Sequence, residues 1–335
     1  MIFKPSPVLT ALVILASSAL AYGISIENLV KSAIQYPDVP YSATQTTVFW
    51  TSRCLSQASE AKIYFSPPAK LRIEYREPGN LAKQVVIDNG RFEFLYDKVK
   101  NSAVRSPSSF NQDDFDDRFD LLKKNYDFIH EGNEKIAGRQ ALIVVIKSKS
   151  GNSPRRRLWI DAEHDVLLQE KAFRPDGSIS HMSHFTEISF PDSMPAGFFS
   201  LPKNAGITRD ESGSIDFRDL ESVPKKIKFK MLQPVYLPRG YEFETASLVK
   251  KNNAPFLRIQ YTDGLDTLSL FETNSAIDFK NYKFFEEAGK APDEQARFFH
   301  LIAGNALYHK RKGLNCLAAG DFSKKELLKV INSLK

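Results

Sequence analysis

The chain has 335 residues, 42% of them hydrophobic, with 25 Phe against 2 Trp. That length suits two domains with sizeable cores. A formal charge of +6, with acids and bases interspersed, gives no sign of a nucleic-acid binder and fits weak attraction to acidic partners.

Lys4, the apolar run Val8–Ala21 and the A-x-A pattern Ala19-Leu20-Ala21 predict a cleavable signal peptide over 1–21. The run is short for a bilayer span, and an uncleaved anchor is the alternative. No cysteine follows it to carry a lipid, and no other stretch is apolar enough to span a membrane. An exported, soluble mature protein is expected. In an oxidising compartment Cys54 and Cys316 either pair or stand as two small buried thiols.

The mature chain opens with a predicted helix, Ile24–Gln35, with Ser25 as cap and Pro37 and Pro40 beyond its end. Strands follow over Tyr41–Ser52, Ser59–Phe65, Lys70–Arg76, Gln84–Asp88 and Arg91–Asp97. Pro78-Gly79 and Asn89-Gly90 are turns. KLRIEYR and RFEFLYD alternate with a period of two, the mark of a sheet with one wet face. We expect Ile63, Phe65, Leu71, Ile73, Tyr75, Phe92, Phe94 and Tyr96 to line one side as an apolar cleft. One short helix spans about 18 Å at 1.5 Å per residue, too little to cover such a sheet. A second helix is expected within Phe110–Tyr126, with Phe115, Phe119 and Leu122 on one stripe and Asp113, Asp114, Asp116, Asp117 and Asp120 on the other. It is either an ordinary core helix or a movable lid over the cleft, with Asn101–Ser109 as a polar, mobile lead-in.

Asn125–Phe190 reads as an antiparallel meander. Its strands are Ala141–Lys147, Arg156–Asp161, Val166–Phe173 and Ser180–Phe190, with turns at Ala137-Gly138-Arg139, Gly151-Asn152-Ser153-Pro154, Asp161–Asp165 and Pro175-Asp176-Gly177. The ordered pieces NYDF, IAGR, RRLWID, LL and DG, with the Phe and Ile of HFTEISF, resemble the late strands of the LolA-like sheet in the MucB/RseB regulators. Tyr236–Phe243 and Tyr261–Phe271 resemble the family's small C-terminal domain, and Phe198–Pro202 its closing N-terminal strand.

The resemblance implies an α+β protein. A large curved antiparallel sheet, a LolA-like half-barrel with helices in its concave face, covers 22–202. Residues 203–227 are a polar linker, and 228–335 form a smaller α+β domain. That domain closes with a helix over Ser323–Leu334, started by a Ser323/Glu326 capping box.

Motifs for chemistry are sparse. There is no nucleophile elbow, P-loop or G-x-G-x-x-G. His181 and His184 are three apart, and on a strand they point to opposite faces, so a shared metal is not expected. Arg155-Arg156-Arg157 is either free surface charge or a contact for an anionic headgroup or an acidic partner segment. The reading is therefore binding without catalysis, and no cofactor is implied. By resemblance, the chain would bind the periplasmic segment of a membrane anti-sigma factor and sense lipid or lipopolysaccharide in the cleft. A LolA-like lipoprotein carrier is the alternative, which the second domain argues against, and an envelope enzyme is a third.

Overall fold

The structure, a computed structural model, describes residues 25–50, 56–76, 82–108, 110, 115–151, 154–174, 176–195, 197–209, 215–251, 254–275, 277, 286–290, 296–301 and 304–335. The expected signal peptide, Cys54, Pro78-Gly79, Asp113-Asp114 and Asn152-Ser153 lie outside them. No helix among the described residues is long and apolar enough to cross a membrane.

Ser25 sits in extended backbone and its hydroxyl accepts from the Asn28 amide at 3.1 Å, which starts helix α1 (Ile26–Ile34). Leu29, Val30 and Ala33 form its buried stripe. Strands β1 (Tyr41–Trp50), β2 (Ser56–Ser66), β3 (Lys70–Tyr75), β4 (Gln84–Asp88) and β5 (Phe92–Asp97) then pair in sequence. Asn89 makes the β4–β5 hairpin: its side-chain carbonyl accepts from the amides of Arg91 and Phe92, while Gly90 takes the positive φ of 88°.

The stretch expected as a mobile lead-in is instead a strand, β6 (Ser102–Pro107), paired with β5. Its alternate residue Ala103 is buried, so polar composition hid a period of two. Helix α2 (Phe115–Asn125) buries Phe119 and Leu122. The meander is β7 (Tyr126–Ile136), β8 (Arg139–Ser148), β9 (Pro154–Asp161), β10 (Leu167–Phe173) and β11 (Ile179–Ser189).

These strands and β12 (Gly206–Arg209) make one sheet of twelve, ordered β12-β6-β5-β4-β3-β2-β1-β11-β10-β9-β8-β7. The expectation of a purely antiparallel, half-closed sheet needs correction. β12 joins β6 in parallel, and β12 and β7 stand at opposite ends of the order. The cause is the chain after β11. Phe198–Pro202, expected as a closing strand, is turn and irregular backbone that crosses the sheet and packs Phe198, Phe199 and Leu201 on Val85, Ile87 and Phe94. Having crossed, the chain returns to the edge in the direction of β6.

A second sheet has eight strands, ordered β13-β14-β15-β16-β20-β19-β18-β17. They are β13 (Ile215–Phe217), β14 (Glu242–Lys251), β15 (Ala254–Thr262), β16 (Thr267–Thr273), β17 (Glu286–Lys290), β18 (Arg297–Leu301), β19 (Gly304–Arg311) and β20 (Leu314–Gly320). Helix α3 (Lys324–Asn332) starts on the Ser323 cap and buries Leu327, Val330 and Ile331. The segment 203–227 thus gives one strand to each sheet, and its Val223 is fully buried. Cys316 is a free, buried thiol in the second core.

That core also holds a carboxyl. Glu272 on β16 has no exposure. One oxygen accepts from the Leu232 amide at 3.0 Å, and the other has no partner among the described residues. Burial raises its pKa to about 7 from the ordinary 4.5. A carboxyl raised in the folded state costs nothing below the unfolded value and its full penalty above the folded one. Glu272→Gln should therefore stabilise the chain by roughly 1–3 kcal/mol at pH 8 and by nothing measurable at pH 4. Urea unfolding of both proteins across that range is the measurement. A pH-independent difference would refute the assignment.

Candidate functional site

Register decides which side chains share a side of the first sheet, because residues paired across strands point the same way. Helices α1 and α2 pack on Leu142, Val144, Ile146, Leu158 and Ile160. From Val144 and Leu158 that side runs through Glu170, Ser183, Thr47 and Ser59 into β2. Along β2 it continues as Ala61, Ile63 and Phe65. Tyr36, just beyond α1, and Phe110, shortly before α2, lie 4.1 Å apart and both stand near Phe65, at 6.3 and 6.2 Å.

The eight side chains expected in one cleft therefore divide. Ile63, Phe65, Leu71, Ile73 and Tyr75 are on the helix side, since Ile63 pairs with Ile73, Phe65 with Leu71 and Ala61 with Tyr75. Phe92, Phe94 and Tyr96 are on the other. Phe94 pairs with Ile87, and Ile87 with Arg72, the neighbour of Ile73 that points away. These three pack beneath Phe198 and Phe199, with the Arg105 guanidinium 4.4 Å from the Phe92 ring. Of the lid candidates, Phe119 and Leu122 are buried against the sheet and Phe115 is partly so.

The helix side holds a row the sequence analysis missed. Ala43, Ile63, Ile73, Val86, Leu95 and Val104 are successive cross-strand partners from β1 to β6. Ala43 and Ile63 are buried and Ile73 and Val86 half-buried, while Leu95 and Val104 are 42% and 43% exposed. Six apolar side chains in line run on the order of 24 Å at the spacing of adjacent strands. The available signal was slight: Leu95 falls in phase with Glu93 and Asp97, and Val104 sits in a polar stretch.

A second cluster joins the two sheets. The turn between β15 and β16 carries Asp263, Gly264, Leu265 and Asp266 onto α2 and β9. Asp266 lies between Arg155 at 2.5 Å and Arg156 at 2.6 Å, and all three are largely buried. Burial pushes the Asp266 carboxyl up, but the two guanidinium groups outweigh it and hold it below the usual carboxylate range. Arg156 also pairs with Glu170 at 3.1 Å, and Glu170 is 3.7 Å from His181, which stacks on Phe49. His184 faces the opposite side. Tyr126 donates to Asp263 at 2.5 Å, and burial raises both pKa values. Arg157 pairs with Glu131 at 2.8 Å. The arginine run expected as free charge or a contact for an outside anion is thus engaged by carboxylates of this chain. A turn bearing two acids, far from an arginine run, was the only hint.

Among the described residues, no group of three or more His, Cys, Asp or Glu is placed to hold a metal. An open depression of about 220 Å³ lies on the side away from the helices and is lined by hydroxyls and charge, with Ser42, Thr44, Lys62 and Glu187 among them.

Comparison with known proteins places this architecture. Residues 82–204 match the family model described as the MucB/RseB N-terminal domain. The chain is 22% identical over 293 residues to an uncharacterized protein of Methanocaldococcus jannaschii, covering 83% of this chain and 82% of that one. It is 25% identical over 157 residues to the sigma-E factor regulatory protein RseB of Escherichia coli K12, 45% of this chain and 46% of RseB, so the aligned stretch spans about half of that protein. Among solved structures, MucB in complex with MucA(peri) matches with a TM-score of 0.61 at 12% identity, over 93% of this chain and 98% of that one. The Pseudomonas aeruginosa MucA/MucB complex matches at 0.59 and 14%, over 92% and 98%. Residues 82–204 thus match the N-terminal domain of the MucB/RseB family in sequence, and the fold across both sheets is that of MucB.

Proposed function

We propose that this chain is an exported periplasmic regulator that grips the periplasmic segment of a membrane anti-sigma factor and carries an acyl-chain site on the helix side of its first sheet. The observation that carries the first half is the extent of the fold. It follows MucB over 93% of the chain, second sheet included, and that MucB is in complex with MucA(peri). RseB is by name a sigma-E factor regulatory protein. In this reading residues 1–21 are a cleaved signal peptide, 22–202 a LolA-like domain, 203–227 the connection and 228–335 the small domain.

The second half rests on the row ending in Leu95 and Val104. Large apolar side chains left in water beside a buried core mark a place where apolar ligand surface gains by burial, at about 25 cal/mol per Å². Ile63, Phe65, Leu71, Ile73 and Tyr75 keep their place as cleft candidates, and Phe115, Phe119 and Leu122 as the lid. Lipid or lipopolysaccharide is the ligand class.

Two experiments test this. The mature chain is mixed with the periplasmic segment of a single-span membrane protein encoded beside a sigma-factor gene in the same genome. The two should co-elute on gel filtration. Separate elution, with acyl chains copurifying, would favour a lipoprotein carrier instead. For the ligand, Leu95→Gln with Val104→Gln should weaken binding of a fluorescent fatty acid at least tenfold, with little change in stability because both are exposed. Phe94→Ala, on the buried opposite side, should cost about 3–5 kcal/mol of stability and leave the affinity of the folded protein unchanged. The reverse pattern would put the site on the wrong side.

A further inference from the structure

We propose that the second domain holds helix α2 shut, so that uncovering the helix side of the first sheet and undocking the two domains are a single event. The proposal rests on the acyl-site reading for what the uncovering serves, and on the joint's own geometry for the mechanical link.

Helix α2 is packed from two directions. Inward, Phe119 and Leu122 are buried against the first sheet. Outward, the same helix meets the second domain from Arg118 to its C-terminal end. Arg118 donates to Glu244 at 3.1 Å, and to the Gly264 carbonyl and the Thr267 hydroxyl at 3.4 Å each. Lys124 reaches Glu242 at 2.5 Å. The Asn125 amide donates to the carbonyls of Gly240 and Asp263 at 3.0 Å each. Leu265 packs into the core beneath α1 and α2. Backbone lies directly on backbone: a methyl group at Gly264 would stand 2.6 Å from Leu122 Cα. Arg155, Arg156 and Asp266 lock the same turn to the sheet.

An eleven-residue helix has little stability of its own and depends on tertiary packing. With the second domain docked, α2 cannot lift away from the sheet. With it undocked, α2 loses its outer contacts and its opening free energy falls. The contacts between domains are mainly polar and charged, and such interfaces part more readily than apolar ones. A ligand that needs α2 displaced therefore favours the undocked form, and undocking favours the ligand by the same factor.

The test uses the full mature chain and two variants. Asp266→Asn removes the charge between the two arginines, and Gly264→Ala adds the clashing methyl at a φ of 94°. Small-angle scattering reads domain separation, and hydrogen exchange reads α2, with α1 as internal control. Both variants should expand, and α2 amides should exchange at least tenfold faster while α1 changes less than twofold. Three results would overturn the proposal: separation with α2 exchange unchanged, equal acceleration of α1 and α2, or two variants that stay docked. Fluorescent fatty acid binding is the separate arm. If α2 opens and affinity does not move, the acyl site does not extend beneath α2, and the mechanical link stands.

Discussion

A twelve-stranded sheet presents more apolar face than the helices among the described residues can cover. The sheet is on the order of 50 Å across its strands, while helices of nine and eleven residues span about 13 and 16 Å. Both helices gather over β7, β8 and β9, where Leu142, Val144, Ile146, Leu158 and Ile160 form one apolar patch. The other side is covered at the opposite end by the crossing segment with Phe198 and Phe199. The two covers are offset, and the exposed end of the Ile73–Val104 row is the region that neither reaches. Architecture and candidate site follow from the same shortage.

The joint between the sheets depends on burying charge in matched sets. A lone buried carboxylate costs several kcal/mol, and a carboxylate with two guanidinium partners recovers most of that. Asp266 has both arginines and Arg156 has Glu170 as well, so the cluster is satisfied only while the domains meet. Glu272 in the second core is the contrast: among the described residues it has one amide partner and no cation, and its pKa is raised accordingly. The difference separates a contact built between two bodies from a polar group tolerated inside one.

Much of the fold was legible in the sequence. Ser25 and Ser323 announced their helices, and Asn89-Gly90 announced its hairpin, because capping and turn chemistry are local. Strand periodicity was also legible within each strand. The phase relation between strands was not. β3 and β5 both alternate, yet Ile73 and Phe94 point to opposite sides, because pairing through β4 sets parity and that sheet is covered on both faces. A period of two says that a strand has a buried face without saying which layer buries it. The arginine run was misread for a related reason: its partner lies about a hundred residues away, and charge complementarity over that distance leaves no local mark.

The connection between the two halves has its own consequence. It is anchored in the first sheet as far as Arg209 and in the second from Ile215. The intervening chain can reach about 20 Å at full stretch. Parted halves would remain on a short leash, each at millimolar effective concentration to the other. Reclosure would then be fast and independent of dilution, so any partner that wedges the halves apart competes with an intramolecular rival and must bind tightly to persist.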